Sequence, residues 1–184
     1  MTETLGSKKI DLEFRRAELE DLDEIWDLYS AVIMASSNTP EDPQWVLGVH
    51  PSREELTYQI EDGLLHCGFY YGQVVAAALI EQNFVRGYET FPWESKLPLR
   101  DTAVLHLFAV DPNLRGRKIG KQFMNYCIDF SRKEGYKALR LDAMPCLVHA
   151  QALYVSCGFK NQGVGELSHS NPKMRRANMY ELVL

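Results

Sequence analysis

The most constraining stretch is residues 102–134, in which "TAVLHLFAV" runs into "DPNLRGRK" and then into "IGKQFMNYCIDFSRK". The first run is β-branched and aromatic, the composition of a central strand. Arg115, Arg117, Lys118 and Lys121 then crowd around Gly116 and Gly120, and from Ile119 the residues Phe123, Tyr126, Cys127 and Phe130 share one helical face that ends near Gly135. Strand, glycine-containing basic loop and helix in direct succession predict an α/β domain. The helix start offers unpartnered N–H groups and about half a positive charge, so with these side chains around it the loop is an anion site, with phosphate the expected guest. The glycine spacing is neither G-x-x-x-x-G-K-[ST] nor G-x-G-x-x-G, which sets aside a Walker loop and a dinucleotide fingerprint.

The rest of the chain supplies a mixed sheet. "IDLEFRRA" alternates Ile10, Leu12 and Phe14 with charged residues as a first strand, and Leu22, Ile25, Tyr29, Val32 and Ile33 follow at helical spacing. "SSNTPEDPQWVLGVHPS" is a loop, after which Ser52 and Glu55 form a capping box for a second short helix. "LLHCGFYYGQVVAAALIEQ" reads as a hairpin turning at Gly72, and "VRGYETFPWESKLPLRD" is a second long, irregular connection. "KALRLDA", "HAQALYVS", "GFKNQG" and "RANMYELVL" add a strand, a helix and two closing strands. The predicted order is β-α-α-β-β-β-α-β-α-β-β, with residues 1–9 a flexible N-terminus and 10–184 one domain.

Composition narrows the partners. A net charge of −5 opposes a general nucleic-acid surface. No apolar run approaches the length of a membrane span and the opening is not of signal-peptide type, so a cytoplasmic protein is expected, with no membrane partner. Cys67, Cys127, Cys146 and Cys157 show no C-x-x-C spacing and read as reduced thiols. Cys127 and Cys157 lie in apolar helical settings, and neither has a strong case as a nucleophile. His50, His66, His149 and His169 have no metal-ligand spacing, and no metal is expected.

Three blocks in order resemble the GCN5-related N-acetyltransferase (GNAT) superfamily: "RRAELEDL", then "LFAVDP" with Arg115–Gly120 against the signature [QR]-x-x-G-x-[GA], then "ALYVSCGF". The resemblance covers nearly the whole chain. It implies that Arg115, Gly116, Arg117, Lys118, Ile119, Gly120 and Lys121 hold the pyrophosphate of acetyl-coenzyme A (acetyl-CoA). It also implies that backbone groups of Phe108, Ala109 and Val110 meet the pantetheine arm and the acetyl carbonyl, an oxyanion-type contribution. Tyr154 matches the family tyrosine that faces the departing sulfur. Lys118 stands where the signature has Gly, Leu147 where many relatives have Asn, and Val104 where some have a catalytic Glu.

His106, two residues beyond Val104 and on the same strand face, is the expected proton acceptor; its "LHLFAV" setting is similar to that of arylalkylamine N-acetyltransferases. Trp26, Tyr29, Trp45, Phe91 and Trp93 are candidates for an aromatic acceptor pocket, and Glu81, Glu89, Glu94 and Asp101 for attracting a cationic amine. The implied reaction is direct acetyl transfer from acetyl-CoA to a primary amine, expected to belong to a small molecule. Alternatives are acetylation of a protein N-terminus or lysine, and a non-catalytic acyl-CoA sensor. A homodimer is compatible with the sequence.

Overall fold

The computed structural model describes residues 10–82 and 87–184. Residues 1–9, expected to be flexible, and 83–86, the last two of which open the second long connection, lie outside the described residues. Along the chain run β1 (Glu13–Arg16), α1 (Leu22–Ser36), α2 (Arg53–Glu61), β2 (Leu65–Tyr70), β3 (Gln73–Glu81), β4 (Thr102–Val110), α3 (Ile119–Lys133), β5 (Ala138–Ala143), α4 (Val148–Ser156), β6 (Lys160–Glu166) and β7 (Arg176–Val183), in the expected order. The strands form one sheet, β1-β2-β3-β4-β5-β7-β6, antiparallel at every neighbour except β4–β5. No helix among the described residues is long and apolar enough to cross a membrane.

Local chemistry places several boundaries. The Ser52 hydroxyl accepts from the Glu55 N–H at 3.1 Å while the Ser52 N–H donates to Glu55 Oε2 at 2.9 Å, the reciprocal cap expected at α2. Tyr71 and Gly72 both adopt positive φ between paired Tyr70 and Gln73, the two-residue turn whose twist suits a hairpin. One face of the sheet is packed by α3 and α4 around Leu105, Phe123, Met124, Leu139, Leu141 and Tyr154. The other is packed by α1 and α2 through Ile25, Leu28, Tyr29, Leu56 and Ile60. A third cluster joins Tyr88 and Trp93 of the second connection to Val104, Ala177 and Met179.

Two features of β4 open the sheet. Leu79 pairs with His106 but Ala77 pairs with Ala109, so β4 carries one residue more than β3 across that interval, and Leu107 takes a φ of +51°. The bulge turns Leu107 and Ala109 into the α1/α2 face and Phe108 and Val110 toward α3. The buried Tyr29 hydroxyl, donating to the Leu107 carbonyl at 2.7 Å, holds it there. On its other edge β4 pairs with β5 only over Thr102–Val104 and Ala138–Arg140, and the two strands part beyond that point. Arg140 is buried at the fork and pairs with buried Glu181 at 2.9 Å.

His66, inside β2, makes acid stability testable. It is fully buried, its Nδ1 lies 2.9 Å from the Tyr126 hydroxyl, and burial lowers it from 6.5 to about 4. Between those pH values the unfolded chain takes the proton and the folded one does not, so stability falls as pH drops from 6.5 toward 4, by at most about 3 kcal/mol. Urea titrations at several pH values should show this slope in the wild type. In His66→Leu, less stable at pH 7, it should be flatter.

Candidate active site

A single cavity of about 1010 Å³ runs through the fork between β4 and β5, reaching from the loop before α3 to the connection between α1 and α2. Its walls change character along that path, because each face of the sheet contributes at one end.

At the α3 end stand Arg115, Gly116, Lys118, Ile119, Gly120 and Lys121. The N–H groups of Ile119, Gly120 and Lys121 open α3 and have no partner within the helix. Gly120 is there for packing: a Cβ on it would lie 3.2 Å from Leu153 of α4 and 3.6 Å from Val110. An added branch would push apart the helix start and the strand whose gap the site uses. Phe108 and Val110 also line the cavity. Arg117 is exposed outside its lining, and Ala109 is buried beneath it, paired with Ala77, so it presents no side chain.

Lys118 caps α3 with φ +62°, a left-handed conformation that Gly adopts without strain. Lys118→Gly is therefore expected to leave thermal stability unchanged or slightly raised. Acetyl-CoA binding should weaken about two- to fivefold at low salt, with little difference at high salt, because only a screened charge is lost. Calorimetry at two ionic strengths checks this.

At the centre, His106 on β4 and Asp142 on β5 line the cavity from its two lips, and Tyr154 of α4 lines it from the opposite face of the sheet. Burial holds the His106 imidazole below its ordinary value, with His50 acting in the same direction and Asp142 against it, so the ring is neutral at pH 7 and able to accept a proton. Burial first, then the Asp142 and Tyr180 charges, pushes the Tyr154 phenol up and keeps it protonated. Tyr88, buried below His106 with ring centroids 6.2 Å apart, donates its hydroxyl to Asp142 Oδ1 at 2.8 Å. Gly87 sets Tyr88 in place: its φ is +121°, and a Cβ there would come within 2.3 Å of the Glu166 carbonyl. Cys127 is buried in the core, and burial pushes its thiol up, away from the thiolate form.

Sequence reasoning missed Asp142 and Tyr88, although Asp142 is the one carboxylate in the otherwise apolar and basic run "KALRLDA". It also missed Gln151. At Leu147 no side chain caps α4. Instead Gln151 Nε2 donates to the Met144 and Pro145 carbonyls, while its Oε1 accepts from Asn178 and from the Tyr180 hydroxyl. One amide thereby orders the turn from β5 into α4.

The acceptor end departs further from expectation. Trp45 and Glu81 line the cavity, together with Glu41, His50, Gln59, His149 and His169. Trp26, Tyr29 and Trp93 do not. Trp26 packs on α1 beneath the Arg53 guanidinium, Tyr29 is spent on the bulge, and Trp93 stacks on Arg140 while donating to the Tyr88 carbonyl. Phe91 joins Trp93, and Glu89, Glu94 and Asp101 lie outside the cavity lining. Above the cavity, the connection after α1 reaches α4 and the turn before it, where Glu41 meets His149 at 2.5 Å and the Cys146 thiol lies 3.9 Å from the Asp42 carbonyl.

The sheet is thus forked beside a bulge, with a basic helix start on one side of the opening and titratable side chains on the other. The Acetyltransferase (GNAT) family model matches residues 24–159, and the chain belongs to that family of N-acetyltransferases. Solved structures share the fold. A GNAT-family acetyltransferase from Streptococcus agalactiae superposes with a TM-score of 0.79 at 18% identity, covering 94% of this chain and 95% of its own. The PaiA N-acetyltransferase of Thermoplasma acidophilum, in complex with coenzyme A, gives 0.69 at 16% identity over 95% and 99%. The yncA protein of Salmonella typhimurium, with its cofactor acetyl-CoA, gives 0.66 at 15% identity over 95% and 94%. An uncharacterized N-acetyltransferase of Methanocaldococcus jannaschii is 37% identical over 49 residues, a match spanning 27% of this chain and 22% of that protein.

Proposed function

We propose that this enzyme transfers the acetyl group of acetyl-CoA directly to the primary amine of a small molecule. The observation that carries the reading is the continuous cavity through the β4–β5 fork, basic at the α3 end, with His106, Asp142 and Tyr154 at its middle. The residues fit the donor: unpartnered helix-start N–H groups and Arg115, Lys118 and Lys121 suit a pyrophosphate, and parted strand edges suit an extended arm. Acetyl-CoA supplies the thioester.

The chain's own groups move the protons. Neutral His106, directly or through a water, takes a proton from the acceptor's ammonium and frees its lone pair for attack on the thioester carbon. The backbone at the bulge, around Phe108, presents dipoles to the acetyl oxygen as it gains charge. Tyr154 donates its hydroxyl to the sulfur as the C–S bond breaks. The second proton on the new amide nitrogen ends on the departing sulfur, relayed through solvent or the Tyr154 hydroxyl, and the imidazolium of His106 releases the first, so the net products are amide, coenzyme A thiol and one proton.

The Glu41–His149 pair, which ties the α1–α2 connection to α4 across the acceptor end, supports a small amine over a peptide, which needs an open groove. The reading places the enzyme in the cytoplasm, with acetyl-CoA and an amine as partners and neither nucleic acid nor membrane. Coenzyme A release across a panel of small amines and N-terminal peptides, with product masses, tests it. Turnover of peptides in preference to every small amine would replace the small-molecule reading. Binding of acetyl-CoA with no release for any acceptor would leave a sensor.

A further inference from the structure

Val104 and Arg140 are the last paired residues of β4 and β5, and His106 and Asp142 lie two residues beyond them on their respective strands. Side chains two apart on a strand share a face, so the imidazole and the carboxylate stand on opposite lips of the fork at the same level, both in the cavity wall. An acceptor nitrogen in reach of His106 therefore passes Asp142. We propose that Asp142 receives the acceptor's ammonium group and then holds the imidazolium that His106 becomes, with Tyr88 as the residue that positions the carboxylate. This rests on the acetyl-transfer reading and assigns the acceptor its charge: it docks as a cation.

The surroundings agree with that role. The Tyr88 hydroxyl, 2.8 Å from Oδ1, donates to the carboxylate and aims it. Arg140, two residues back on β5, is committed to Glu181. Tyr154 comes from α4, His50 faces His106 from the α1–α2 connection, and Glu81 lines the same cavity from β3. The positive side chains of the cavity lining, Arg115, Lys118 and Lys121, belong to the α3 end. Gln59 adds a buried acceptor, Oε1, to which no hydrogen bond is made among the described residues. Asp142, Glu81 and that oxygen leave the acceptor end suited to N–H donors and positive charge.

The test compares n-butylamine, a cation at pH 7, with butyric hydrazide, a neutral N-nucleophile of similar size. Asp142→Asn should raise KM for n-butylamine about 10- to 100-fold, leave KM for the hydrazide and acetyl-CoA affinity within about twofold, and flatten the amine's preference over the hydrazide. Tyr88→Phe should change the same quantities in the same direction by less. An equal rise in KM for both acceptors would overturn the proposal. Two readouts need no turnover. In the coenzyme A complex, the His106 ring titration followed by NMR should move to lower pH in Asp142→Asn, the other histidines staying in place. Binding of n-butylammonium to that complex should weaken in step with KM. An unmoved His106 titration with unchanged n-butylammonium binding would overturn the proposal even if neither acceptor is turned over, whereas the acetyl-transfer reading fails only if no amine releases coenzyme A.

Discussion

Tyr154→Phe is expected to cut turnover about 10- to 1000-fold while acetyl-CoA affinity and folding stability change little. The ring is nine-tenths buried and packs edge-on to Phe108 and Tyr180, contacts that Phe retains. What disappears is a hydroxyl that burial, Asp142 and Tyr180 keep firmly protonated. A phenol raised above the range of an ordinary thiol does not surrender its proton completely to a departing thiolate; it acts by donating a hydrogen bond that strengthens as the sulfur gains charge. A donor with a more acidic thiol needs that bond less, so the loss in Tyr154→Phe should shrink along a series of acyl thioesters of falling thiol pKa. Unchanged turnover where chemistry limits the rate would remove Tyr154 from the reaction.

Arg140→Ala should cost about 3–5 kcal/mol in urea denaturation, because it leaves Glu181 buried beside Ser95 with no cation. Part of the loss is packing, since the guanidinium lies 4.4 Å from the Trp93 ring centroid. The double variant Arg140→Met with Glu181→Leu removes both charges and should recover most of the loss. Arg140 sits at the last β4–β5 pair, so the single variant should also weaken acetyl-CoA binding through a loosened fork. A loss below about 1 kcal/mol in the single variant would show that the pair is solvated and does not anchor the fork.

Periodicity and short motifs determined the order of elements, the Ser52–Glu55 cap, the turn at Tyr71–Gly72 and the basic, glycine-containing start of α3. These are local: a cap is settled by residues three apart, a turn by two, a helix face by every third or fourth side chain. His106 and Val104 sharing a face also followed from period two, because the bulge comes one residue later, at Leu107. Beyond it that period fails. Only the added residue in β4, held by Tyr29 from 78 positions away, turns Phe108 to the α3 face. The choice among aromatics was likewise tertiary. Trp26, Trp45 and Trp93 look alike in the sequence, yet Trp45 lines the cavity while Trp26 and Trp93 are occupied by Arg53 and Arg140. Asp142 and Tyr88 meet only because a parallel strand pair ends at Arg140 and an irregular connection is pressed onto β6 at Gly87. Such contacts depend on where distant segments run out of partners, and no window of neighbouring residues records that.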